Sequence, residues 1–211
     1  MTRGLFLDLD GTLADSLPVL KAAYWDFLAS YAIQGSEAEF QQLNGPPLET
    51  IIATLKKTHA LVEEVSLLKR HYLDLIEKAH LVAPPAPGAK DLVLFAHQQG
   101  WRIAVVTSSP QAQAQAWLDR HGFGNMVAAV VGGDAIVGKP DPAPYIKGLE
   151  LTRCRADQSW AVEDSRAGAT SAVAAGLTTY VLADMADRAD WPAGARFVEN
   201  LRDIIKDMTL A

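Results

Sequence analysis

The sequence has few of the features that mark secreted or membrane proteins. Only one of its 211 residues, Cys154, is a cysteine, so no internal disulfide can form and nothing points to an oxidising compartment. No apolar run is long enough to span a bilayer, and the first one is interrupted by Asp8, too early for a signal peptide. These absences predict a cytoplasmic protein with no membrane partner.

Basic charge and metal-binding histidine patterns are also lacking. The formal net charge is −6 and no basic stripe is visible, which excludes nucleic acid as an expected partner. The five histidines show no metal-ligand spacing of the H-E-x-x-H type. The chemistry is therefore expected to rest on carboxylates, hydroxyls and lysine.

The hydrophobic pattern alternates strands with helices, which predicts an α/β fold with a doubly wound parallel sheet. Strands are expected at residues 3–8, 102–106, 127–131, 160–163, 178–182 and 196–198, and helices at 88–99, 111–121, 142–151 and 166–175. The exception is the stretch from about 15 to 80, which is helical throughout and interrupts the first strand-to-helix crossover.

This helical stretch is predicted to be an inserted cap domain. Its first apolar stripe consists of Leu17, Leu20, Tyr24, Phe27 and Leu28, at helical spacing. A proline-rich linker, Val82–Gly88, cannot continue a helix and closes the insertion. We therefore predict a core domain of residues 1–14 and 83–211 and a helical cap of residues 15–82. Within the cap, the restricted backbone of the turn Gly45–Leu48 is expected to form a fixed loop.

The most informative segment runs from Leu5 to Leu13 and carries two acids, Asp8 and Asp10, where an apolar strand breaks into a glycine turn. Residues two apart on a strand point to the same face. Two buried carboxylates repel each other and lose hydration, so they need a strong partner, and a divalent cation is the obvious one. A solvated strand end followed by a turn is the simpler alternative.

Three more polar segments follow apolar elements further along the chain. Thr107 and Ser108 follow the second strand, Lys139 lies between turn residues, and Glu163 with Asp164 ends a later strand. The carboxyl ends of parallel strands form the ligand crevice in such sheets, so these segments are expected to converge. Helix capping by the hydroxyls and acids, and an ordinary surface lysine, are the competing interpretations.

In this order, Asp-x-Asp-Gly-Thr, hydroxyl residues, a lysine and paired acids, the chain resembles the haloacid dehalogenase-like (HAD) hydrolase superfamily over its whole length. The position of the cap is similar to that in phosphoglycolate phosphatase, β-phosphoglucomutase and sugar phosphatases. The resemblance implies a Rossmann-like core and a phosphatase that uses Mg²⁺ on a small phosphorylated metabolite, of the phosphosugar or phosphoglycolate type.

The resemblance also implies a role for each site residue. Asp8 attacks phosphorus and forms an aspartyl phosphate, Asp10 is the general acid and base, and Lys139 offsets the charge of transfer. Thr107 binds the phosphoryl group, with Ser108 as a helper. The metal ligands are Asp8, the backbone carbonyl of Asp10, Asp164 and Glu163, the last either on the metal or behind it.

Two alternatives stay open from the sequence. One is a β-phosphoglucomutase-like phosphomutase, although Leu20 stands where such enzymes carry a histidine and Leu48 lies near the position of their arginine. The other is a noncatalytic binding module on the same fold, against which the intact acids and lysine argue. We expect a monomer or a weak homodimer.

Overall fold

The structure is a computed structural model that describes residues 2–43, 48–134, 137–183 and 190–210. Within these ranges, six strands form one sheet: β1 (Gly4–Leu7), β2 (Arg102–Val106), β3 (Val127–Val131), β4 (Ser159–Glu163), β5 (Thr178–Leu182) and β6 (Arg196–Val198). Their order is β3-β2-β1-β4-β5-β6, and every neighbouring pair is parallel. The predicted doubly wound parallel sheet is confirmed.

The described residues also form nine α-helices. These are α1 (Leu17–Ala29), α2 (Glu37–Leu43), α3 (Leu48–Thr58), α4 (Val65–Val82), α5 (Ala89–Gln98), α6 (Gln111–Arg120), α7 (Ala143–Thr152), α8 (Arg166–Ala174) and α9 (Leu201–Leu210). Helix α9 was not predicted, although Leu201, Ile204 and Met208 give it a buried face at helical spacing. None of the described helices is long and apolar enough to cross a membrane.

The chain divides into two compact units, one of Met1–Asp15 with Pro84–Ala211 and one of Ser16–Ala83. The smaller unit is all helical and packs around an aromatic and aliphatic core that includes Tyr24, Phe27 and Leu28. Leu17, predicted to lie in the same apolar stripe, is 44% exposed and lies outside that core. Of the predicted turn, residues 45–47 lie outside the described residues.

The larger unit contains the six-stranded sheet, and β1 is one of its two central strands. All four residues of β1 are buried, because helices cover both faces of a doubly wound sheet. Leu7 pairs with Val105 of β2 on one side and Val162 of β4 on the other. The carboxyl ends of these three strands are therefore level, and the residues that follow them share one edge of the sheet.

Candidate active site

Asp8 lies at the centre of this edge, directly after β1. Its backbone N–H donates to the Val162 carbonyl at 3.0 Å, so the residue is still tied to β4. The side chain is buried, and its Oδ1 accepts a hydrogen bond of 2.6 Å from the Lys139 ammonium. Burial raises the pKa of Asp8 well above its ordinary value against the opposing effect of Lys139, and the charges of Glu163 and Asp164 raise it further.

Lys139 is a buried lysine with every ammonium proton engaged. Its Nζ donates to Asp8 Oδ1 at 2.6 Å, to Glu163 Oε1 at 2.5 Å and to the Val106 carbonyl at 2.9 Å. Burial alone would lower the pKa of Lys139, but the two carboxylates outweigh it and raise that pKa. The lysine is therefore a fixed positive charge beside Asp8, and the surface-lysine alternative is wrong.

Glu163 is the fully buried acid that holds this lysine in place. Besides Lys139, its carboxylate accepts hydrogen bonds from Tyr145 Oη at 2.6 Å and Ser165 Oγ at 3.2 Å. The first turn of α8 packs closely against the Glu163 carboxylate, since a Cβ added to Gly168 would lie 2.0 Å from it. With three donors around it, Glu163 is placed to orient Lys139.

Asp164 follows β4 and packs against the turn after β1. Burial, followed by the charge of Glu163, raises the pKa of Asp164 to about 7. Gly11 makes this approach possible, because a Cβ there would lie 1.9 Å from Asp164 Oδ2 and its φ of +82° favours glycine.

The acids form a donor set that fits a divalent cation. Asp8, Glu163 and Asp164 can each offer a carboxylate oxygen, and these oxygens lie within 4.8 Å of one another. Burial raises the pKa values of Asp8 and Asp164, and the charges of neighbouring acids raise them further, so a cation beside these groups would be favourable. Hard oxygen ligands of this kind suit Mg²⁺. The local charge and chemistry thus agree with a magnesium site.

Asp10 is half-buried, and its Oδ2 accepts a hydrogen bond of 2.7 Å from Ser109 Oγ. Thr107, which is buried, accepts the Ser109 backbone N–H on its Oγ1 at 3.0 Å. Ser108, the predicted helper, is exposed. In this segment it is the side chain of Ser109 that reaches the acid pair.

Two polar groups of this site, Ser109 and Tyr145, were not predicted from the sequence. Ser109 directly follows the predicted residues Thr107 and Ser108, and only the path of the loop decides which hydroxyl faces Asp10. Tyr145 lies on the first turn of α7, where a buried aromatic residue is most simply interpreted as core packing. Its position soon after Lys139 in the chain was the one available signal.

Comparison with known proteins gives consistent matches. The sequence model of the haloacid dehalogenase-like hydrolase family matches residues 5–182. A phosphoglycolate phosphatase of Pseudomonas fluorescens is 31% identical over 191 residues, which cover 86% of this chain and 70% of that protein. A phosphoglycolate phosphatase of Cereibacter sphaeroides is 34% identical over 186 residues, covering 82% of each chain.

A solved structure shares the fold over the full length. The crystal structure of a putative beta-phosphoglucomutase from Thermotoga maritima superposes with a TM-score of 0.88 at 24% identity and covers 100% of both chains. The family match and the curated relatives confirm the predicted family resemblance and the prediction of a phosphatase.

Proposed function

Because the chain belongs to the haloacid dehalogenase-like hydrolase family, we propose that it is a magnesium-dependent phosphatase that hydrolyses a small phosphorylated metabolite through an aspartyl phosphate on Asp8. The observation that carries this proposal is the buried Asp8 carboxylate, held by Lys139 and adjacent to two further acids. The substrate is of the phosphoglycolate or phosphosugar type, which the curated phosphoglycolate phosphatase relatives support.

Asp8 is the nucleophile in this proposal. The Lys139 ammonium holds Oδ1 and so fixes the plane of the carboxylate, which directs the attack of the group on phosphorus. As the bond from Asp8 to phosphorus forms, the bond from phosphorus to the ester oxygen breaks, and Asp10 gives its proton to that leaving oxygen.

The second step regenerates the enzyme. A water molecule attacks the phosphorus of the aspartyl phosphate, the bond to Asp8 breaks, and the water's proton goes to Asp10, which is thereby ready for the next substrate. Inorganic phosphate is the product, and the two Asp10 proton transfers cancel over the cycle.

Lys139 and Thr107 serve the phosphoryl group itself. Lys139 keeps a positive charge beside Asp8 and offsets the charge that develops on the transferring oxygens. The Thr107 Oγ1 accepts the Ser109 N–H, which leaves its own proton to be donated to a phosphoryl oxygen. Ser108 remains a predicted helper at the exposed end of the segment.

The metal would be held by Asp8, Asp164 and the backbone carbonyl of Asp10. Glu163 would support the site by orienting Lys139. When bound, Mg²⁺ would reduce the repulsion between the phosphate dianion and the carboxylates around it. Burial raises the pKa of Asp164 to about 7, and a bound cation would offset the cost of its buried charge.

Hydrolysis of phosphate esters tests the proposal directly. We expect release of inorganic phosphate from a panel of phosphorylated metabolites, including phosphoglycolate and sugar phosphates, with Mg²⁺ present, and loss of this release with a chelator. Asp8→Asn should be inactive. The matched control is Asp157→Asn, an exposed acid paired with Arg155, which should retain wild-type rates. Full activity after exhaustive chelation would contradict the metal dependence. An active Asp8→Asn variant would contradict the covalent mechanism.

We further propose that the helical unit, Ser16–Ala83, sets the choice among substrates. It is inserted directly after the acid pair in the chain, while the groups that handle phosphate all belong to the other unit. Substitution of Leu48 or Glu49 should change the ratios of kcat/KM among phosphorylated metabolites much more than it changes the hydrolysis of acetyl phosphate. A uniform loss across substrates would contradict this division. A cytoplasmic location and a monomer or weak homodimer remain predictions.

A further inference from the structure

We propose that Ser109 is a positioning residue for Asp10 and holds the carboxyl group in the orientation that protonates the leaving oxygen. The inference rests on the proposed function, in which Asp10 is the general acid. Ser109 Oγ donates to Asp10 Oδ2 at 2.7 Å, and this contact joins the loops after β2 and β1, which are 99 residues apart in the chain.

The backbone of Ser109 is fixed on both sides of its side chain. Its N–H donates to Thr107 Oγ1 at 3.0 Å, and its carbonyl accepts the N–H of Gly133 at 3.0 Å. A backbone held at both ends limits the movement of the side chain, so less freedom is lost when the hydroxyl binds Asp10.

The loop after β3 supports this segment through two glycines. A Cβ added to Gly133 would lie 2.3 Å from the Ser108 carbonyl oxygen, and one added to Gly132 would lie 2.4 Å from the Gln111 nitrogen. The Asp134 carboxylate accepts the Gln111 N–H at 3.1 Å. The two loops therefore pack backbone against backbone, and this packing sets the position of Ser109.

The consequence for catalysis follows from the planarity of a carboxyl group. When Ser109 holds Oδ2, the plane of the group and the direction of its other oxygen are set as well, and that oxygen delivers the proton to the leaving group. Without the contact, the Asp10 carboxyl group loses a hydrogen bond that helps to set its orientation. A displacement of about 1 Å is enough to cost on the order of 100-fold in rate.

The predicted signature is a dependence on the leaving group. An ester with a good leaving group expels its oxygen without help, whereas a poor leaving group needs the proton from Asp10. The first-step barrier is reported by kcat/KM, which includes expulsion of the alcohol and excludes the later hydrolysis of the aspartyl phosphate. A residue that only stabilised the fold would affect all esters alike.

The experiment compares 4-nitrophenyl, phenyl and benzyl phosphate, three esters of similar size and increasingly poor leaving groups, with Mg²⁺ present. For Ser109→Ala we expect kcat/KM to fall about 10- to 100-fold with benzyl phosphate, less with phenyl phosphate, and by no more than about 3-fold with 4-nitrophenyl phosphate. Ser109→Thr keeps a hydroxyl and should restore most of the loss.

An equal loss with all three esters, no loss with any of them, or failure of Ser109→Thr to recover more than Ser109→Ala would overturn the positioning role. Circular dichroism checks that both variants are folded, and the half-exposed site favours this. If the wild-type protein hydrolyses none of the esters, the proposed function itself fails and this inference fails with it. A wild type that hydrolyses all three with a flat Ser109→Ala profile overturns only the inference.

Discussion

Replacement of Lys139 by methionine removes the charge from the buried cluster while keeping a side chain of similar length. Its ammonium bridges Asp8 at 2.6 Å and Glu163 at 2.5 Å, and its side chain is only 5% exposed. Lys139→Met therefore leaves two buried carboxylates without their cation. Breaking a buried pair in this way costs about 3–5 kcal/mol, because the partner charge stays desolvated.

The loss should depend on pH with a definite sign. Lys139 opposes the rise in the pKa of Asp8, so without the lysine that pKa rises further above its value in the unfolded chain. A native acid with a raised pKa binds protons that the unfolded chain has already lost, so stability falls as pH rises. In the wild type the Lys139 contribution is complete below about pH 10, since its own pKa is raised above the unfolded value. The deficit of the variant should thus widen from pH 5 to pH 8.

Urea and thermal unfolding with a chelator present, at pH 5 and pH 8, measure this effect. At 2–4 °C per kcal/mol, the expected loss lowers the Tm at pH 8 by about 6–20 °C, and by clearly less at pH 5. The matched control is Lys147→Met, a half-exposed lysine of α7 paired with Glu150, which should cost at most about 1 kcal/mol. Equal stability of the two variants at both pH values would refute the reasoning.

Four further outcomes are expected. Asp8→Asn should abolish phosphate release in a folded protein, as followed by a phosphate assay and circular dichroism. Activity lost to a chelator should return with Mg²⁺ but hardly with Ca²⁺, whose looser coordination misplaces the reacting groups. Tyr145→Phe removes a 2.6 Å hydrogen bond to the buried Glu163 carboxylate and should lower the free energy of unfolding by about 1.5–3 kcal/mol in urea titrations. Gly11→Ala should raise the Mg²⁺ concentration needed for half-maximal activity, because its Cβ would collide with Asp164. In each of the four experiments, a value equal to that of the untreated wild type would contradict the role assigned to the group that was changed.

The sheet could be predicted from sequence because its strands are apolar runs. The central strand Gly4–Leu7 and its neighbours are buried on both faces, so they contain continuous apolar segments between polar turns. Helix α9 was harder to predict, since only three of its ten residues are buried and its polar face dominates the pattern. Packing against the rest of the larger unit, to which α9 belongs, decides whether such a helix forms. A local sequence window does not contain this information.

The acids of the site could be predicted because parallel strands deliver their carboxyl ends to one edge. Lys139 was predicted from its place between turn residues and from the family resemblance. Asp8, Glu163 and Asp164 needed only the strand assignments. The choice between Ser108 and Ser109 needed the close approach of Gly133, a contact between loops of different strands. Tyr145 lies on a helix where the sequence indicates an ordinary core aromatic residue. Only the three-dimensional packing shows that its hydroxyl donates to Glu163.

Chemical trapping of the phosphorylated enzyme tests the central claim most directly. The Asp10→Asn variant, mixed with 4-nitrophenyl phosphate and Mg²⁺, should form the aspartyl phosphate, because this leaving group needs no proton, and should hydrolyse it slowly for lack of the base. Acid quenching, borohydride reduction and peptide mass spectrometry should then find homoserine at position 8. Homoserine at another position, or 4-nitrophenol release with no reducible acyl phosphate at Asp8, would contradict the mechanism.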